Sequence, residues 1–389
     1  MNIIMFSPQF PPNFYQFCTA LARQQGCNVL AIASTPYEQL RPELRGALTE
    51  YYRVRNMEDY DQVLRAVGYF THKYGKIDRF ESHTEYWLEQ DACIRTDFNI
   101  PGIRSDMIDE MKHKSLMKQK FIEAGVAVAP GKVIHTLEEA RKFIQDEAGY
   151  PVVAKPDNGV GAAATYKIRN DEELQAFFRE KHPVDYFIEG FISGELYSFD
   201  GLADRDGNPV FYTCHHFSQG IMEIVNHDLD MYYYSLRQIP PELEKAGLAT
   251  VKAFDVRERF FHIEFFRGSD GKIVALEVNM RPPGGLSMDM FNYANDIDLY
   301  YQWANVVVNN RFDAAYFRKY HCAYIGRKYN KNYQYSHEEI LGCWGHAIVY
   351  HEPVEGIFSK ALGNYGYIAR SENWSELQEI IDFIRAKRN

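Results

Sequence analysis

The chain has 389 residues, 46 % of them hydrophobic and 25 % charged, with a formal net charge of −10. Acidic and basic residues are interspersed, without the basic stripe of a nucleic-acid binder, and no apolar run approaches the length of a membrane span. Six cysteines (Cys18, Cys27, Cys93, Cys214, Cys322 and Cys343) form no C-x-x-C pair, so a structural zinc site has no support and a reducing compartment is expected.

The length suggests two or three domains. The start, Met-Asn-Ile-Ile-Met-Phe-Ser-Pro, lacks a basic n-region and a long apolar h-region. No signal peptide is expected, and a cytoplasmic location is. Ile3–Phe6 and Val29–Ala33 read as strands, with helical spacing around Phe14, Phe17, Leu21 and Ala22 between them. Strand, helix, strand in that order predicts a small parallel α/β domain over residues 1–108. Its first loop, Ser-Pro-Gln-Phe-Pro-Pro, has no G-x-G-x-x-G, which argues against a dinucleotide-binding dehydrogenase.

From Asp109 to Gly125 the apolar spacing is helical again. Strands at Lys132–His135, Tyr150–Lys155 and Tyr186–Glu189 then alternate with helices at Leu137–Glu147 and Leu174–Arg179, giving an α+β unit over 109–190. Beyond it, Asp206-Gly207 and Asp270-Gly271 sit between strand-like runs, a strong hairpin signal. One helix is expected across Met288–Val308 and an amphipathic helix over Ser375–Lys387, within a last unit of 191–389.

The Asp270-Gly271 hairpin carries the most chemistry. A two-residue turn there sets Glu264 opposite Glu277, and strand alternation puts Glu277, Asn279 and Arg281 on one face. Two carboxylates roughly 5 Å apart at an effective dielectric near 20 repel by about 3 kcal/mol. Two carboxylates and an amide are hard oxygen ligands that suit Mg²⁺. Arg281 lies one strand step further, within reach of a transferring phosphoryl group, and Gly284-Gly285 offers bare backbone N–H groups to an anion. An ordinary solvated hairpin face is the plainer alternative.

Upstream, the apolar strand Val152-Val153-Ala154 ends in Lys155, followed by Asp157-Asn158-Gly159-Val160-Gly161-Ala162-Ala163-Ala164. Small residues let backbone N–H groups approach phosphate oxygens, and Lys155 supplies a point charge. The segment Tyr186–Glu195 offers a backbone edge to an adenine ring and Glu195 to ribose hydroxyls. A strand passing between subdomains, with Glu189 and Glu195 on the surface, explains the same pattern. His215-His216 alternate to opposite faces of a strand, and a packed role is expected for His262.

The order of these motifs resembles the ATP-grasp superfamily over about residues 105–310, in its carboxylate–amine ligase and carbamoyl-phosphate-synthetase-like branch. The likeness rests on Lys114 ten residues before Ala124-Gly125-Val126, on Tyr150–Pro156, on Glu189–Asp200 and on Glu264–Gly285. His83-Thr84-Glu85 and Ile100-Pro101-Gly102 fit the domain that precedes the grasp in that branch. The resemblance implies an α/β and α+β chain: a small parallel α/β domain followed by a two-lobed grasp.

It further implies that Lys114 and Lys155 contact ATP phosphates. Asn158, Gly159 and Gly161 would lie in a loop closing over them. Glu189 and the backbone of Phe191 and Ile192 would meet adenine, and Glu195 the ribose. Glu264, Glu277 and Asn279 would hold Mg²⁺ or Mn²⁺, and Arg281, with Lys155, would serve the reaction itself. Many relatives carry a serine in that loop where Ala162 and Ala163 stand, so backbone amides would replace a hydroxyl.

The chemistry implied is an ATP-dependent ligation of a small carboxylate to an amine through an acyl phosphate, by a protein that binds neither nucleic acid nor membrane and is by default a homodimer. A bicarbonate-dependent carboxylase and a catalytically silent ATP-binding subunit are the rivals.

Overall fold

The structure, a computed structural model, describes residues 1–159, 164–354, 356 and 358–388. Three sheets organise the described residues. The first is fully parallel. Asn2–Phe6 lies at its centre between Asn28–Ala33 and Arg79–Glu81, and Glu50–Arg53 forms one edge. Buried side chains alternate along the central strand. Ile3 and Met5 pack with Phe17, Leu21 and Trp303, while Ile4 and Phe6 pack with Val63, Val67 and Phe70. A parallel sheet covered on both faces reads in sequence as a continuous apolar run, which is why Ile3–Phe6 has no polar alternation.

The second sheet has four antiparallel strands in the order Gly131–Ile134, Tyr186–Gly190, Val152–Pro156, Tyr166–Ile168. The third has nine strands. Its centre is formed by Pro209–Phe217, Glu195–Ala203, Phe260–Arg267 and Ile273–Asn279 in adjacent places. No described helix is long and apolar enough to cross a membrane.

The helical stretch that opens the unit expected over 109–190 packs against the nine-stranded sheet. Met117, Phe121 and Val126 share a core with Ile263 and Val278 of the nine-stranded sheet, and Ala127–Val128 adds a short parallel strand to its edge. Residues 109–128 therefore pack with the large sheet, and the four-stranded unit begins only at Gly131. The helical spacing across 109–125 is also divided. His113 adopts extended backbone between helices Asp109–Lys112 and Lys114–Glu123, and the Lys114 N–H donates to Asp157 O at 3.0 Å.

A further break corrects the single helix expected over 288–308. Asp296, in the left-handed region at φ 52°, ends helix Ser287–Asn295, and Asp298 caps a new helix, Leu299–Asn309, by accepting from the Tyr301 N–H. The break turns Trp303 into the core between the parallel sheet and the large sheet, beside Phe17 and Phe260.

Candidate active site

The first half of the site is a buried ion triad. Lys155 closes strand Val152–Pro156, and Glu189 lies on the neighbouring antiparallel strand opposite Val153. The Lys155 Nζ meets Glu189 Oε1 at 2.7 Å, and Lys118 pairs with the other oxygen. All three residues are less than 8 % exposed. Burial alone would raise the Glu189 carboxyl, but Lys155 and Lys118 outweigh it and hold the group below the usual carboxylate range. Burial likewise works against the Lys155 ammonium, yet Glu189 and then Glu277 bring it above the ordinary lysine value.

Lys118 was not singled out from the sequence. It follows Lys114 by four residues, so both side chains share one helix face, and that spacing was the available signal. Lys114 begins this helix. Its Nζ donates to Gly159 O at 3.2 Å, and burial depresses its ammonium despite the opposing field of Glu277. Asp157 caps the same helix, accepting from the Ser115 N–H at 2.8 Å and from Ser115 Oγ at 2.9 Å. Asn158 turns outward to Glu89 at 2.9 Å. Gly161, with Ala162 and Ala163, lies outside the described residues.

The second half is the acidic hairpin, where Glu264 pairs directly with Glu277. The route to that register differs from the one expected. The turn has three residues, with Gly268 N–H donating to Lys272 O and Gly271 at φ +78°, so Arg267 faces Ile273. A bulge between Phe265 and Glu264 then restores the offset. Asn279, on the same strand face as Glu277, stands opposite His262.

Burial pushes the Glu277 carboxyl up, and the nearby Glu85 and Glu264 add to that effect against Lys114 and Lys155. A cation between the strands would relieve this cost. Two carboxylates and an amide oxygen fit the hard-oxygen preference of Mg²⁺ or Mn²⁺. Arg281 is fixed beside them: its Nη2 donates to Glu85 Oε2 at 2.9 Å and its Nη1 to Pro282 O at 3.0 Å. Glu85 reaches the site from the loop after Arg79–Glu81, so the parallel domain supplies part of the centre.

Behind the hairpin runs a polar array. Asp200, fully buried, meets His262 Nδ1 at 2.5 Å, His215 Nδ1 at 2.9 Å and Ser198 Oγ at 2.5 Å. The other ring nitrogen of His262 stands 3.4 Å from Glu264 Oε1. Burial would lower the His262 pKa, but Asp200 and Glu264 raise it to about 9. His262 is thus paired on both sides rather than merely packed, as the sequence suggested. His215 and His216 do face opposite ways: His215 joins Asp200, while His216 Nε2 lies 3.7 Å from Glu195.

The remaining expected nucleotide contacts are placed differently from one another. Both oxygens of Glu189 are engaged by lysines, and its strand is paired on both sides. The Phe191 N–H already donates to Pro151 O at 3.0 Å, and the Phe191 ring carries Lys167 Nζ 3.5 Å from its centre. Ile192 follows, partly buried, in the connection to the large sheet. Glu195 is exposed at the start of its strand and accepts from Tyr197 OH at 2.9 Å. The structure therefore gathers Lys114, Lys155, Glu189, Glu264, Glu277, Asn279 and Arg281 into one centre and leaves Glu195 at its periphery.

Residues 148–289 match the ATP-grasp domain family. The chain is 24 % identical over 280 residues to the carbamoyl phosphate synthase large chain of Neisseria meningitidis serogroup B, covering 69 % of this chain and 25 % of that one. It therefore spans about a quarter of the length of that relative. It is 22 % identical over 245 residues to the L-arginine-specific L-amino acid ligase of Bacillus subtilis, covering 61 % of this chain and 59 % of the ligase. Among solved structures, L-amino acid ligase from Bacillus licheniformis superposes with a TM-score of 0.76 at 16 % identity, covering 100 % of this chain and 99 % of that one. That likeness speaks for the fold.

Proposed function

We propose, from the premise that this chain is an ATP-grasp protein, that it is an ATP- and Mg²⁺-dependent ligase joining a carboxylate to an amine through an acyl phosphate. The observation that carries the reading is the direct pairing of Glu264 with Glu277 beside Asn279, in a part-buried centre that also holds Lys114, Lys155 and Arg281. A nucleotide-binding subunit without catalysis has no need of two opposed carboxylates, whose repulsion costs stability. They suit a site where a metal and a triphosphate arrive together.

In this reading Lys114 and Lys155 bind phosphate oxygens as point charges. Glu189 and Lys118 hold Lys155 in place. Glu264, Glu277 and Asn279 would hold Mg²⁺ or Mn²⁺, which when bound neutralises charge on the phosphates. Arg281, steadied by Glu85, faces the transferring group and offsets the negative charge that develops as a substrate carboxylate oxygen attacks the γ-phosphorus and ADP leaves. The amine nitrogen then attacks the acyl carbon, phosphate departs, and the amine loses a proton. No protein nucleophile is required. The carboxylate and the amine are small molecules, the nucleotide sits against Phe191, Ile192 and Glu195, and the active form is a homodimer.

The test is phosphate release from Mg·ATP across a grid of carboxylates and amines, with Glu277→Gln as control. Release that requires one carboxylate–amine pair and disappears in the variant supports the ligase. Release that requires bicarbonate points instead to a carboxylase, and ATP binding with no release on any pair favours the silent subunit.

A further inference from the structure

We propose that Asp200 and His262 are positioning residues for metal binding: Asp200 orients the His262 ring, and the ring fixes the carboxylate of Glu264. The inference rests on the reading of Glu264 and Glu277 as metal ligands.

Asp200 and Ser198 are fully buried in the middle of the nine-stranded sheet, and His215 and His262 are 1 % and 7 % exposed. Their neighbours Phe199, Phe261 and Ile263 belong to the apolar core. A carboxylate in such surroundings is unfavourable unless its partners are complete, and apolar residues would fill the same place at lower cost. A polar array kept there has a use beyond filling space.

Its geometry indicates the use. Asp200 faces His262 across two neighbouring strands, and Ser198 faces Glu264 two residues along the same pair. Asp200 engages the Nδ1 side of His262, which sets the plane and tilt of the ring. The Nε2 side is then directed along the strand to Glu264 Oε1, 3.4 Å away. Ser198 Oγ and His215 Nδ1 occupy the other Asp200 oxygen, so the carboxylate cannot rotate away from His262 without losing both. The bulge places Leu276 as the extra residue on the neighbouring strand, while Glu264 keeps a backbone partner on each side, Ser198 and Glu277, so only its side chain is left to be held. A flexible glutamate side chain opposed by Glu277 would otherwise swing outward to escape the like charge. The His262 contact holds it facing Glu277, the posture a shared cation requires. Outer partners of this kind typically change metal affinity by about 10- to 100-fold when removed.

The experiment measures Mn²⁺ binding by electron paramagnetic resonance to the full chain, with and without ADP, for wild type, Asp200→Asn, His262→Phe, His262→Gln and Glu277→Gln. Thermal unfolding without metal establishes that each variant is folded. The expected result is roughly 10- to 100-fold weaker Mn²⁺ binding in Asp200→Asn and His262→Phe, with metal-free ADP affinity unchanged. His262→Gln, which keeps a donor toward Glu264, should recover part of the loss. The double variant Asp200→Asn/His262→Phe should be no weaker than the worse single variant, because the two act in series. Mn²⁺ affinity within twofold of wild type in folded His262→Phe overturns the inference, even if Asp200→Asn does not fold. Should Glu277→Gln abolish binding while the His262 variants retain it, only the positioning role fails. If wild type itself binds no Mn²⁺ with ADP present, the metal reading fails and takes this inference with it.

Discussion

Glu189→Gln is the most informative single perturbation of the site. In the wild type one carboxylate separates two buried ammonium groups, Lys118 and Lys155. The glutamine is the same size, so packing is preserved and only charge is removed. Its amide oxygen can accept from one lysine, and its NH₂ group confronts the other. Two ammonium groups on opposite oxygens of one carboxylate lie roughly 5 Å apart, and at an effective dielectric of about 20 their repulsion is about 3 kcal/mol. The loss of a buried partner is by itself expected to cost about 3–5 kcal/mol, so the two approaches agree. Urea unfolding should show a loss of that size. Adding Lys118→Met to Glu189→Gln removes one of the two opposed cations, and the pair should recover about half of the loss. Mg·ADP should stabilise Glu189→Gln more than wild type, because phosphate oxygens replace the missing negative charge beside Lys155. The reasoning is refuted if Glu189→Gln unfolds within about 1 kcal/mol of wild type, or if the lysine change adds to the damage instead of relieving it.

In Glu277→Gln the opposition to Glu264 disappears, so metal-free stability should rise by about 1 kcal/mol while Mn²⁺ binding is lost; melting curves and metal titration decide. For His83, burial lowers the pKa to about 3. The unfolded chain takes up its proton near pH 6.5 and the folded chain does not. The stability His83 contributes above pH 6.5 is therefore lost as pH falls toward 3, by on the order of 5 kcal/mol in total. His83→Asn, which tolerates the φ of 59° found there, should flatten that part of the unfolding profile whatever its effect at neutral pH. Gly271→Ala meets open space but must adopt φ +78°, so equilibrium unfolding should show a cost of about 1 kcal/mol with the metal site intact.

Strand alternation made the shared face of Glu277, Asn279 and Arg281 legible, but the pairing of Glu264 with Glu277 depends on the loop between them. The register was reached for an incomplete reason. A three-residue turn shifts the pairing by one, and a bulge beside Glu264 shifts it back. Neither deviation has a distinct sequence signal, since Asp270-Gly271 serves two- and three-residue loops alike. Three strands of the four-stranded sheet were visible because their apolar runs are regular, while the three-residue edge strand Tyr166–Ile168 was too short to read. The allocation of residues 109–128 was not, because it depends on Phe121 and Val126 packing against Ile263 and Val278, well over a hundred residues later. The same is true of Asp200, which lies 62 residues from His262 in sequence. Lys118 stood nearer to detection, one helical turn beyond Lys114, but its partner Glu189 comes from another sheet.

What the isolated motifs could not convey is that their charges are balanced before any ligand arrives. Lys114, Lys118, Lys155 and Arg281 face Glu85, Glu189, Glu264 and Glu277, four cations against four carboxylates. Each expected ligand disturbs that balance alone. A bare divalent cation adds positive charge beside Lys114 and Lys155, and a bare triphosphate adds negative charge beside Glu264 and Glu277. Arriving together they largely cancel, and each relieves the repulsion the other would meet. On the proposed ligase reading, the pairing of acidic and basic halves in one centre couples metal to nucleotide binding, and linkage requires that coupling to be equal in both directions.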